Sequence, residues 1–186
     1  MLKDIINQHP PVHTRDISLS TLPHKGERII VHGELKDRRH VPIVDILGRP
    51  KTPGTIHHIT VDILIEPDPL RIVRAEAEMI TVPVEQCPET LDVMEKLIGL
   101  EIRPGFSQKV RTLVGGANGC AHLCTLVKAM GTEIVHGWLT RKRSQSPLQS
   151  IPLEDQRHFL MDSCRLWRKD GPKYKEISQI IQRQCR

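Results

Sequence analysis

The chain has 186 residues, 38% of them apolar but only 3% aromatic, and a formal net charge of +5. That length suits one domain of ordinary size with a core of Ile, Leu, Val and Met, and one Tyr, two Phe and two Trp supply no stacking platform for single-stranded nucleic acid. No run approaches the roughly 18 apolar residues of a membrane span, and the N-terminus lacks the basic-then-apolar order of a signal peptide, so a cytoplasmic protein without membrane attachment is expected.

Residues 1–27, with Pro10-Pro11 and Pro23 among polar neighbours, read as an irregular N-terminal arm. An α+β core domain is expected over 28–140. Arg28–Lys36 has strand character, Asp37-Arg38-Arg39 reads as a polar turn, and Val41–Leu47 pairs back as an edge strand, since Pro42 cannot donate to a ladder. Thr55–Glu66 is the clearest strand, with Ile59, Val61, Ile63 and Ile65 at period two. Beyond the Pro67-Asp68-Pro69 turn, Arg71–Ile80 returns, with Ile72, Arg74, Glu76 and Glu78 alternating against Val73, Ala75, Ala77 and Met79. An antiparallel sheet of three to four strands follows.

The pattern then turns helical. Cys87-Pro88-Glu89-Thr90 opens a helix with proline and an acid in the first turn, and Gly99 ends it. Phe106–Val114 is a short helix. Cys120–Met130 is the next, with Leu123, Leu126, Val127 and Met130 on one face; Gly131 interrupts or caps it, and 132–140 continue helically. Strands first and helices after place the helices on one face of the sheet. Residues 141–152 read as a linker, and 153–186 as a C-terminal helix, Leu153–Lys169, with a basic tail. Residues 141–186 carry a net charge of +6 against −1 for 1–140. This basic part is either a solvated face or a docking site for an acidic protein partner; no zinc-finger or helix-turn-helix signature points to nucleic acid.

The segment most suggestive of chemistry runs from Gly115 to Leu123, a glycine-rich loop that leads through Cys120 and His122 into a helix. A helix N-terminus carries unpaired N–H groups and partial positive charge, and both favour a thiolate. Five cysteines, an odd count with no CxxC pair, argue against a disulfide framework; any one alone is equally well a small apolar core residue. Cys87 and Cys120 both fall at expected helix starts, and His57-His58 opens the central strand. Cys/His sets of this kind hold zinc, iron or an iron–sulfur cluster, so His57, His58, Cys87, Cys120 and His122 are candidate metal ligands. Adjacent strand residues face opposite ways, so only one of His57 and His58 faces such a site. Side chains at i and i+2 of a regular helix point apart, so Cys120 and His122 share a metal only if the first turn is distorted. Otherwise His122 is a supporting group or general base beside Cys120, and the pair is a catalytic candidate for metal-free thiol or sulfur-carrier chemistry. A non-catalytic interaction module using the basic C-terminal segment is the third alternative.

These residues resemble an uncharacterised bacterial family known only as a domain of unknown function. The likeness rests on Gly54-Thr55-Ile56-His57-His58, Pro83 to Cys87 with Leu97-Ile98-Gly99, Gly115 to Leu123, and Asp162-Ser163-Cys164 with Asp170-Gly171-Pro172. His58 stands where that family has Asp, and Ala121 where it has Thr. The order of strand, turn, strand, Cys-led helix and late Cys-headed helix is also similar to iron–sulfur cluster scaffold proteins of the SufE/NifU type. That resemblance implies their fold, with Cys87, Cys120 and His58 at ligand positions, although Ile56 replaces the scaffold's first cysteine.

Overall fold

The computed structural model describes residues 1–145 and 161–184. Four stretches that alternate apolar and polar residues form one antiparallel sheet in the order β1-β2-β5-β6, from His13–Pro23 (β1), Ile29–Arg39 (β2), Gly54–Glu66 (β5) and Arg71–Thr81 (β6). A separate two-residue ladder pairs Ile43–Val44 (β3) with Pro50–Lys51 (β4). The fold is α+β, as the succession of patterns implies. A short helix Leu2–Ile6 (α1) precedes the sheet; a 3-10 helix Cys87–Leu97, Phe106–Val114 (α2) and the 25-residue Ala121–Gln145 (α3) follow it.

One face of the sheet is the core face. Ile29, Val31 and Leu35 of β2 and Ile59, Val61 and Ile63 of β5 are fully or nearly fully buried there. Against them lie Leu123, Leu126, Met130 and Ile134 of α3. Each such side chain contributes about 1.5–3 kcal/mol when fully buried. The opposite face carries polar pairs, among them His32 with Asp62 and Glu34 with His58.

Helix α3 lies close along β1 and β2. A Cβ on Gly33 would meet Met130 Sδ at 3.0 Å, and one on Gly137 would meet Thr21 Oγ1 at 2.0 Å. As α3 proceeds from His122 to Arg141, β2 beneath it therefore runs backward from Asp37 towards Arg28. The Arg141 guanidinium ends this path by donating to the carbonyls of Arg28, His24 and Gly26. Arg141 and Lys142, read as part of a basic linker, are thus tied into the fold, Lys142 by an ion pair with Glu27.

Several expectations are corrected. The stretch expected as an irregular arm holds α1 and the edge strand β1, whose Ile17, Leu19 and Thr21 alternate between polar residues. Val41–Leu47 does not join the main sheet, because the hairpin closes on itself between Asp45 and Arg49. A register shift at Leu64/Ile65 puts Ile72 on the same face as Ala75, Ala77 and Met79. Gly131 does not interrupt α3: the Phe106 ring packs where its Cβ would be, at 2.7 Å. Residues 141–145 continue α3, while 146–160, which include the rest of the expected linker and the first half of the expected last helix, lie outside the described residues. Residues 161–169 form turns, and Pro172 begins a helix, Pro172–Gln184 (α4), at the position where proline is most readily accepted.

Candidate active site

A row of three side chains crosses the sheet at one end of its core face. Arg15 of β1 pairs in register with Asp37 of β2, and Asp37 with His57 of β5. Asp37 and His57 close the regular register that begins at Ile29 and Ile65, and the ladder shifts only beyond them, between Asp37 and Arg38. Asp37 ends the buried stripe that begins at Ile29, and its side chain is only 2% exposed. A buried carboxylate must be paired. Arg15 donates from Nε to Oδ1 at 2.6 Å and from Nη2 to Oδ2 at 2.7 Å, and His57 Nδ1–H donates to Oδ2 at 2.9 Å. The guanidinium holds the Asp37 carboxyl below the usual carboxylate range; burial opposes this and His57 assists it.

The glycine loop brings Cys120 and His122 over this row. Gly116 has φ of +60°, open to glycine at no steric cost. Gly119 is required for space: a Cβ there would lie 2.4 Å from the Val114 carbonyl oxygen. Gly119→Ala should therefore lower stability by about 1–3 kcal/mol through overpacking, seen as a fall in Tm of several degrees.

Cys120 is not inside the helix. It is the residue before α3, and its carbonyl accepts the first helical bond, from the Cys124 N–H at 2.9 Å. Its sulfur stands at the N-cap position, where the backbone amides of Leu123 and His122 favour the thiolate. This removes the objection from i, i+2 spacing, and Cys120 Sγ lies 3.8 Å from His122 Nδ1. On its far side, His122 Nε2 is 3.5 Å from Asp37 Oδ2. The His122 and His57 rings stack with centroids 3.7 Å apart. Burial pushes the Cys120 thiol up, but the His122 ring and the two amides outweigh it, and the thiol sits below its ordinary value.

The arrangement has chemical sense. A carboxylate facing Nε2 favours the tautomer with hydrogen on Nε2, which leaves the Nδ1 lone pair towards the Cys120 thiol. Nucleophile, base and orienting group stand in line, the logic of a catalytic triad. Such contacts are often long in a ligand-free site and tighten around substrate.

Among the described residues, one group of three ligand-type side chains has all its donor atoms within 4.8 Å: Asp37, His57 and His122. Of the sequence candidates, the structure brings together His57, His122 and Cys120. His58 points to the other face, where its Nε2 is 2.6 Å from Glu34 Oε1. His58→Ala should cost no more than about 1 kcal/mol, as for a part-exposed ion pair, and leave the alkylation rate of Cys120 unchanged. Cys87 sits half-buried at the start of the 3-10 helix, its carbonyl accepting from Thr90 Oγ1, and is not a member of the group. Cys124 is buried core, and Cys164 is exposed.

Asp37 and Arg15 were not among the sequence candidates. The available signal was the series Ile29, Val31, Gly33, Leu35, Asp37, an acid closing an apolar period-two stripe. No helix among the described residues is long and apolar enough to cross a membrane. No curated protein and no solved structure matches the chain. Residues 13–136, which hold Arg15, Asp37, His57, Cys120 and His122, match the family described as protein of unknown function (DUF2889), and the chain belongs to that family.

Proposed function

We propose that this protein carries out nucleophilic thiol chemistry, with Cys120 as nucleophile, His122 as its general base and Asp37 as the group that orients His122. The observation that carries the reading is the unbroken line from Cys120 Sγ, through His122 Nδ1 at 3.8 Å and Nε2 at 3.5 Å, to the buried Asp37. His122 takes the thiol proton, the sulfur bonds to an electrophilic centre, and the proton passes to the group that departs. Arg15 and His57 keep Asp37 charged and fixed. Competitive alkylation of the full chain with iodoacetamide at neutral pH, read by peptide mass spectrometry, tests this. Cys120 should be modified ahead of the exposed Cys164; if exposure alone sets the order and Cys164 leads, the reading fails.

A second reading, a divalent ion held by Asp37, His57 and His122, is supported by the convergence of their donor atoms. Against it, Arg15 already occupies both Asp37 oxygens with positive charge. An iron–sulfur cluster of the scaffold type fits less well, since of the candidate thiols only Cys120 adjoins the group. Elemental analysis of anaerobically purified protein separates the two: bound zinc or iron at one per chain, lost in His57→Ala, would favour the metal.

A further inference from the structure

We propose that the Cys120 site takes an acyl thioester, with the apolar acyl group received by the hairpin beside the site and an anionic carrier received by its basic flank. The proposal rests on the thiol reading above and names its substrate class.

The hairpin leaves the sheet two residues after Asp37 and returns three residues before His57, so it stands at the site's end of the sheet. Val41, Ile43, Val44, Ile46 and Leu47 all expose their side chains there, Ile46 completely. They do no work for the core. The hairpin that presents them is nevertheless held in shape: Asp45 Oδ1 accepts from the Leu47 and Arg49 amides, and Asp45 Oδ2 accepts from Arg49 Nε. Five large apolar side chains kept in water on one short hairpin by a fixed turn mark a binding surface. The neighbouring Ile80, near the end of β6, is half-exposed at the same end of the sheet.

Charge identifies the rest of the ligand. Residues 38–53 contain Arg38, Arg39, Arg49 and Lys51 against the single acid Asp45. Arg38 is exposed and has no partner among the described residues. Such a flank attracts an anionic group.

A thioester matches the machinery. Its leaving group is a thiolate, which the proton held by His122 can neutralise as it departs, so one imidazole suffices. Cys120 Sγ bonds to the acyl carbon as the carbon–sulfur bond to the carrier breaks. The carrier thiolate then takes the proton that Cys120 gave to His122. The acyl group ends on Cys120, and no electrons are gained or lost.

The test incubates the full-length protein with octanoyl-coenzyme A, and separately with the octanoyl thioester of the uncharged thiol N-acetylcysteamine, and follows acylation by intact and peptide mass. The expected result is one acyl group on Cys120. It should form about tenfold or more faster from the anionic carrier at low salt, with the advantage shrinking as salt rises. Ile46→Asp with Leu47→Asp should slow acylation by a similar factor while iodoacetamide labels Cys120 at the wild-type rate. No acyl-enzyme alongside rapid iodoacetamide labelling would overturn the substrate class and leave the thiol reading standing. Slow labelling by iodoacetamide as well would overturn both. Binding to anionic phospholipid vesicles that is lost in the double variant, with acylation unchanged, would assign the hairpin to a membrane surface and overturn the proposal.

Discussion

Replacing Asp37 with alanine is expected to lower folding stability by about 2–4 kcal/mol. Its carboxylate accepts two charge-assisted bonds from Arg15 and one bond from His57, and hydrogen bonds to charged groups contribute about 1.5–3 kcal/mol. The Arg15 side chain is 39% exposed and swings into water when its partner is lost, which keeps the loss below that of a fully buried pair. Asp37→Asn keeps the shape and removes the charge, so it isolates the pH-dependent part. The carboxyl titrates below its unfolded value of about 3.9, chiefly because of Arg15. Its contribution is therefore fully present above pH 4 and disappears as pH falls through the lower folded value. Urea unfolding at several pH values should show the wild-type advantage over Asp37→Asn undiminished at pH 7 and shrinking below about pH 4. An advantage independent of pH would mean that the carboxylate charge is not what Arg15 and His57 hold.

His122→Ala is expected to leave the fold nearly intact and to slow alkylation of Cys120 at neutral pH by about tenfold or more, tenfold being the effect of one pKa unit on the thiolate fraction. The imidazole is part-exposed, so its removal opens no sealed cavity. Burial, which pushes the thiol up, then faces only the amides of Leu123 and His122. Asp37→Asn should also slow the reaction, by a smaller factor, because an amide facing Nε2 no longer selects the tautomer that turns a lone pair towards sulfur. Iodoacetamide rates beside thermal unfolding curves separate a loss of reactivity from a loss of folding.

The legible parts of this protein are those in which one physical pattern repeats. Ile59 to Ile65 announce their strand by period two, and the α3 stripe announces its helix. The Gly-rich entry to Cys120 is legible because only glycine meets its conformational and spatial demands. The opaque parts depend on pairing. β1 carries few apolar residues because one of its faces and one of its edges meet solvent, so Pro10-Pro11 and its polar content read as an arm. Asp37 read as turn material because a lone acid carries no sign of burial until Arg15 and His57 are aligned beside it by register. His57 continues the period-two face of Ile59, Val61, Ile63 and Ile65, and the regular register that pairs it with Asp37 places it in the site and His58 on the other face. Cys120 and His122 seemed mispositioned at i, i+2 for a helix, and they meet because the helix begins one residue later than its apolar pattern implied.

The account stands most directly on the pH profile of Cys120 alkylation, followed by peptide mass spectrometry in the full-length protein and in His122→Ala. It predicts a wild-type midpoint below the free-thiol value of about 8.5 and an upward displacement in the variant. A wild-type midpoint at or above that value, unmoved by loss of the imidazole, would contradict it.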